Sequence, residues 1–136
     1  MAYLPNTINE VAVEYSTTVN RTVEQRVVDA LNLIIRRDVA AGHTLESIYI
    51  SSAADSHSMP SRHAQSKAVD ISRINGKKMA IYYGTDNAVT AIVDAIQNAF
   101  EAYPYARENF GPHLKNKLGS AYSVGGHGDH IHISVN

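Results

Sequence analysis

Three of the chain's seven histidines lie in its last ten residues, in the segment Gly126-His-Gly-Asp-His-Ile-His132. On a strand, side chains at i and i+2 leave the same face, so His130 and His132 are expected to point together while Ile131 and Ile133 face the core. Neutral imidazole is the commonest protein metal ligand, and two on one rigid face make part of a zinc site. A second group lies upstream, in Ser61-Arg-His63-Ala-Gln-Ser-Lys-Ala-Val-Asp70. An isolated loop Asp ordinarily makes turn hydrogen bonds. Paired with His63, Asp70 instead offers an oxygen ligand beside a nitrogen ligand. A histidine from the C-terminal segment would complete three protein ligands and leave a fourth position open, the catalytic rather than the closed structural arrangement.

Ser61-x-His63-x6-Asp70 followed by His130-x-His132 resembles the superfamily of lysostaphin-type enzymes, D-Ala-D-Ala peptidases and Hedgehog signalling domains. The first segment is similar to the D-alanyl-D-alanine peptidase pattern Ser-x-His-x-x-Gly-x-Ala-x-Asp, matched at Ser61, His63, Ala68 and Asp70, with Ser66 in place of the glycine. The second is similar to the His-x-x-His-x-His of the penicillin-insensitive murein endopeptidase, matched at His127, His130 and His132. The resemblance implies one zinc ion held by His63, Asp70 and His132, and hydrolysis of stem-peptide or cross-link amide bonds of peptidoglycan. Asp129, three residues before the last ligand, stands where the dipeptidase and endolysin branches carry an acidic base. His127 and His130 stand where the murein endopeptidase branch carries histidines. Asp129 is ranked as the base, His130 as the stabiliser of the transition state and His127 as support, with exchange among these roles left open. Gly128 allows the strand start to bend and bring Asp129 round.

One departure bears on the substrate. The family commonly carries Ser-Gly-Tyr-Arg ahead of the loop, its Arg helping to hold a substrate carboxylate; here the stretch is Ser51-Ser-Ala-Ala54. Losing a bidentate clamp favours cutting an internal bond over trimming a terminal D-Ala. Arg62, Lys67 and Arg73 are the candidates to replace it. The alternatives to an endopeptidase are a D,D-carboxypeptidase and, as in Hedgehog, a zinc-bearing binding domain without proteolysis. His43, His57 and His113 fall outside both motifs and read as surface residues, the latter two as possible cleft lining.

The elements that must position these residues follow from periodicity. Val11–Tyr15 and Ser47–Ser51 read as strands. Val23, Val27, Ala30, Leu31 and Ile34 form one helical stripe, with Thr22-Val-Glu-Gln25 as a capping box and Gly42 as the C-terminal cap. Residues 52–67 read as an active loop. Ala68–Ile74 alternates, and Asn75-Gly76 is expected to turn it into a second hairpin strand, Lys77–Tyr82. A second helix, about Asp86–Tyr103, buries Val89, Ile92, Val93, Ile96 and Phe100 and stops at Pro104. Residues 105–126 read as irregular, and His130–Val135 as a closing strand. Two main helices and hairpin-connected strands, without regular βαβ alternation, predict one α+β domain over residues 1–136 on a small antiparallel sheet. The resemblance makes it Hedgehog/D-Ala-D-Ala peptidase-like.

Composition narrows the partners. Apolar residues are 44% and charged residues 18% of the chain, ordinary for a folded domain. Twelve basic against thirteen acidic residues give a net charge of −1, which removes the electrostatic basis for nucleic-acid or anionic-membrane binding. Without cysteine, disulfides, thiolate zinc sites and cysteine nucleophiles are excluded. No apolar run approaches the ~20 residues of a membrane span. Met1-Ala-Tyr-Leu-Pro-Asn6 has no basic stretch followed by an apolar one, so synthesis without a secretory signal is expected. Action on the cell wall then needs another route, and an endolysin-like protein uses a holin.

Overall fold

The computed structural model describes residues 1–54 and 61–136; His57 lies outside the described residues. In chain order the elements are β1 (Ala2–Tyr3), β2 (Thr7–Ile8), β3 (Val11–Tyr15), β4 (Thr22–Val23), α1 (Gln25–Ile34), β5 (Ser47–Ser52), β6 (Ala68–Ile74), β7 (Lys77–Lys78), α2 (Met79–Tyr82), α3 (Asn87–Phe100), β8 (Ala106–Phe110), β9 (Lys115–Lys117), β10 (Ser120–Ala121) and β11 (Ile131–Val135). Strands β10-β9-β8-β11-β6-β5-β3-β2 form one sheet in that order, with β7 also on β6, while β1 and β4 make a separate pair. The class is α+β, but the expected small antiparallel sheet is a sheet of nine strands, and β3 and β5 in it are parallel. The reason is α1: a helix between two neighbouring strands returns the chain to the same end of the sheet.

Helices α1 and α3 pack on each other and on β11, and α3 also reaches β6 and β8. The core lies between them and the sheet. Val27, Leu31 and Ile34 of α1 and Ile92, Val93, Ile96 and Phe100 of α3 meet Val69, Ile71, Ile131, Ile133 and Val135. Because strand residues alternate, Asp70, His132 and Ser134 must leave the sheet on the face away from the helices.

Several boundaries differ from the sequence expectation. Thr22 and Val23 pair with Tyr3 and Ala2 as a short strand, so α1 begins at Gln25 with Glu24 as an N-cap that makes no side-chain capping bond. Gly42 is not the helix cap. The helix stops at Ile34 because Ile35, fully buried, continues in extended conformation, and Gly42, at φ +78°, serves the Ala40–His43 turn. The Asn75-Gly76 hairpin forms, but its second strand ends at Lys78 and Met79–Tyr82 coils into a helical turn. Of that segment only Met79 is buried, and Lys77 pairs with Asp86, the N-cap of α3, at 2.7 Å, which draws the chain back rather than onward along β6. The second helix ends at Phe100, three residues early, and its exit runs through turns closed by Ala102 and Tyr103 N–H. The stretch expected to be irregular carries β8, β9 and β10.

Candidate metal centre

Backbone pairing delivers two of the three expected ligands to one place. β6 and β11 run antiparallel with Asp70 directly opposite His132. The third, His63, comes from the loop before β6. That loop is closed by backbone bonds from Ser66 N–H to the His63 carbonyl and from Lys67 N–H to the Arg62 carbonyl, and the Ser61 hydroxyl accepts from His63 N–H. Ser66 has φ +60°, the left-handed conformation that glycine takes without strain.

The three side chains meet through His63 Nε2, His132 Nδ1 and Asp70 Oδ1. The separations are 3.1 Å from His63 to Asp70, 2.9 Å from His132 to Asp70 and 3.2 Å between the two imidazoles. Both histidines are buried, His132 being 9% exposed. Each also has its outer ring nitrogen on an oxygen. His63 Nδ1 lies 2.7 Å from the Ala53 carbonyl, which can only accept, so Nδ1 carries the proton. His132 Nε2 lies 3.0 Å from Glu108 Oε1, and Ser134 Oγ donates to the same oxygen at 2.7 Å. With both imidazoles neutral, their remaining lone pairs and a carboxylate oxygen converge with no proton between them. That arrangement repels itself unless a cation sits within it.

A proton or a metal ion can fill that role. In the metal-free protein the proton does. Burial opposes the charge on His132, yet hydrogen bonds to Asp70 and Glu108 outweigh it and raise the His132 pKa to about 9. Burial likewise opposes ionisation of Asp70, but the bonds from His132 and His63 hold it well below the usual carboxylate range. The bond from His132, helped by Ser134 and opposed by burial, lowers Glu108 to about 2. A metal fits the same space: tetrahedral zinc with bonds of ~2.0–2.1 Å spaces its ligand atoms ~3.3 Å apart, close to the triangle observed. The buried His63, Asp70 and His132 group can therefore hold a metal ion.

The other expected residues are placed differently. The histidine face of β11 does not look outward: the Phe110 ring stacks on His132 at 5.7 Å, and the His63 loop covers it. His130 precedes β11 and turns aside, its Nδ1 donating to Asp129 Oδ1 at 2.7 Å. The Asp129 side chain is 67% exposed, and His130 holds its carboxyl below the ordinary value. His127 is the one of the three that lines the pocket beside His132. Its Nδ1 donates to the Gly125 carbonyl at 3.0 Å, leaving the Nε2 lone pair available. Burial, with the positive charge of His130 and His132, lowers its pKa. The His127 and His130 rings lie 4.9 Å apart.

The pocket has a volume of about 450 Å³ and is walled by Arg62, Arg107, Glu108, Phe110, Lys117 and His127, among others. Of the three candidate replacements for the missing clamp, Arg62 lines it, whereas Arg73 lies over the Tyr49 ring. His113 is bonded to Asn98, on α3, and His43 lines a separate surface depression. Arg107, Glu108 and Phe110 escaped sequence reasoning because Ala106-Arg-Glu-Asn-Phe110 has no apolar alternation to mark it as a strand, and Lys117 because the polar Lys115-Asn-Lys117 has none either. Among the described residues no helix is long and apolar enough to cross a membrane. Comparisons with protein-family models, with curated proteins and with solved structures give no match.

Proposed function

We propose that the chain is a zinc-dependent peptidase of peptidoglycan stem peptides, cutting an internal amide bond, on a Hedgehog/D-Ala-D-Ala peptidase-like domain. The observation that carries this reading is the convergence of His63 Nε2, His132 Nδ1 and Asp70 Oδ1, with the outer nitrogen of each imidazole on an oxygen, so that the inward nitrogen is the one available to an ion. The choice of zinc over other metals follows the donor set, two nitrogens and one carboxylate oxygen. Ser66 supports it as well, since the chain has left-handed backbone where the resembling motif carries glycine.

His63, Asp70 and His132 would hold the ion, which supplies Lewis-acid polarisation of the scissile carbonyl and a more acidic attacking water. The chain's own residues do the rest. Glu108 fixes His132 in the tautomer that presents Nδ1. His127, on the pocket wall with Nε2 unprotonated, takes the proton and returns it to the leaving amine. The His130 ring, held by its bond to Asp129, lies 4.9 Å from that of His127, and its charge helps keep His127 unprotonated and ready to accept. Phe110 shields the cluster from water on one side. Reaching the wall would require release across the membrane, as by a holin.

Zymography on purified peptidoglycan tests the reading, followed by mass spectrometry of the released ends. Clearing that EDTA abolishes and zinc restores, with new internal ends, supports it. The far-UV circular dichroism should stay native on chelation, because the apolar core does not depend on the ion. Release of D-Ala alone would establish the carboxypeptidase alternative, and no clearing with zinc bound would establish the binding domain.

A further inference from the structure

Four charged side chains line the pocket beside the His63–Asp70–His132 cluster: Arg62, Arg107 and Lys117 against Glu108. Glu108 is already engaged by His132 and Ser134 through one oxygen. The cavity therefore presents a positive wall in a chain whose net charge is −1, so it is a local feature rather than part of a basic surface. Arg107 Nε is buried without a hydrogen-bond partner among the described residues. Guanidinium does not deprotonate in proteins, so this charged donor stays without an acceptor among the described residues. The Lys117 ammonium lies over the Tyr122 ring at 4.7 Å, and Tyr122 stacks on Phe110, which gives the positive wall an aromatic neighbour.

We propose that this pocket is a carboxylate seat, in which Arg107, with Arg62 and Lys117, binds a free carboxylate of the peptide processed at the adjacent cluster. The proposal rests on the peptidase reading and narrows it to acidic peptides. A fork of guanidinium donors matches a planar carboxylate in both geometry and charge. The volume of about 450 Å³ suits one residue and part of its neighbour. The residues are distinct from the Ala54 position, where the resembling family places its Arg. The carboxylate can come from a chain end or from the side chain of an internal acidic residue; both offer the same planar anion.

The test is binding, read by nuclear magnetic resonance titration of the zinc-loaded and the metal-free protein. The probes are acetyl-D-alanyl-D-alanine, its C-terminal amide, and the α-monoamide of acetyl-alanyl-D-glutamic acid, which keeps only its side-chain carboxylate. At least one acid should bind tenfold or more tighter than the neutral amide, with shifts centred on Arg107 and Lys117. The stronger of the two acids identifies the source of the carboxylate. Arg107→Gln and, independently, Arg62→Gln with Lys117→Gln should reduce the discrimination to threefold or less while the spectrum stays folded. The second variant is confined to partly exposed side chains, so it answers the question even where Arg107→Gln unfolds. Equal binding of acids and amide, absence of binding by all three, or full discrimination in the variants overturns the seat. Discrimination without hydrolysis counts against the peptidase reading alone, and hydrolysis without discrimination counts against the seat alone.

Discussion

Glu108→Ala isolates the contribution of a residue outside the ligand set. In the wild-type protein Glu108 Oε1 accepts from His132 Nε2 at 3.0 Å and from Ser134 Oγ at 2.7 Å. Removing it frees the imidazole to place its proton on Nδ1, the atom that must carry a lone pair toward the ion. Loss of such an orienting partner typically weakens metal binding ~10–100-fold, or about 1.4–2.7 kcal/mol. A second effect opposes this one. The His132 pKa of about 9 means that at neutral pH a proton must leave before a metal binds. Two pH units below that pKa the competition weakens binding ~100-fold. Glu108→Ala lowers the His132 pKa and relieves part of this competition. The full 10–100-fold loss should therefore appear at pH 9.5 and shrink toward pH 7, a crossover that a merely structural role would not produce. Competition with a chromophoric zinc chelator at both pH values measures it. Denaturant titration of the same variant is needed alongside, because two donors lose an acceptor and stability should fall by ~1–3 kcal/mol. Glu108→Gln, which keeps an acceptor but no charge, should fall between. Zinc affinity at pH 9.5 within twofold of wild type would refute the orienting role.

In the metal-free protein, His132 contributes stability that is complete below its unfolded value of ~6.5 and is lost as pH rises through about 9. Glu108 contributes stability present above ~4.5 and lost as pH falls through about 2. The melting temperature should thus peak between the two windows and decline on the alkaline side; a flat profile from pH 6.5 to 9.5 would contradict the cluster as described. His127→Gln should lower kcat ~10²–10⁴-fold with KM little changed. Asp129→Asn should cost less, and the reverse order in steady-state assays would return the base role to Asp129. Gly111→Ala would place a Cβ 2.5 Å from Gln97 Oε1 and should destabilise by ~1–3 kcal/mol in denaturant unfolding.

The convergence of His63, Asp70 and His132 was legible because two of them sit on strands that the sequence marks clearly. Ala68–Ile74 alternates and is a strand over those same residues, which fixes the face Asp70 takes. Ile131 and Ile133 do the same for His132. Helix ends were less legible. Thr22-Val-Glu-Gln25 has the composition of a capping box, but Thr22 and Val23 gain backbone partners in Tyr3 and Ala2, and tertiary pairing outweighs a local cap. Lys77–Tyr82 failed for a related reason: one buried side chain, Met79, does not hold a strand against the Lys77–Asp86 pair.

Strand β8 was illegible for a different reason, and it is the element on which the site depends. Its central residues are polar because both of its faces need hydrogen bonds rather than apolar contact. Glu108 serves one face, bonding His132 and Ser134 of β11. Asn109 serves the other, donating to the Gln97 carbonyl and to Glu101 Oε2 and accepting from Gln97 Nε2. Gln97 Oε1 in turn takes the N–H groups of His113 and Leu114, beyond the strand's end. A slip of β8 by one residue would exchange the two faces, leaving His132 without its carboxylate and Gln97 without its amide partner. An apolar strand would resist that slip through packing alone, which tolerates small displacements. Here directional bonds hold it on both sides, so the position of the His132 ring is tied through one strand to the buried face of α3. That coupling explains why the orienting carboxylate sits on a strand with no apolar pattern, and why periodicity could not find it.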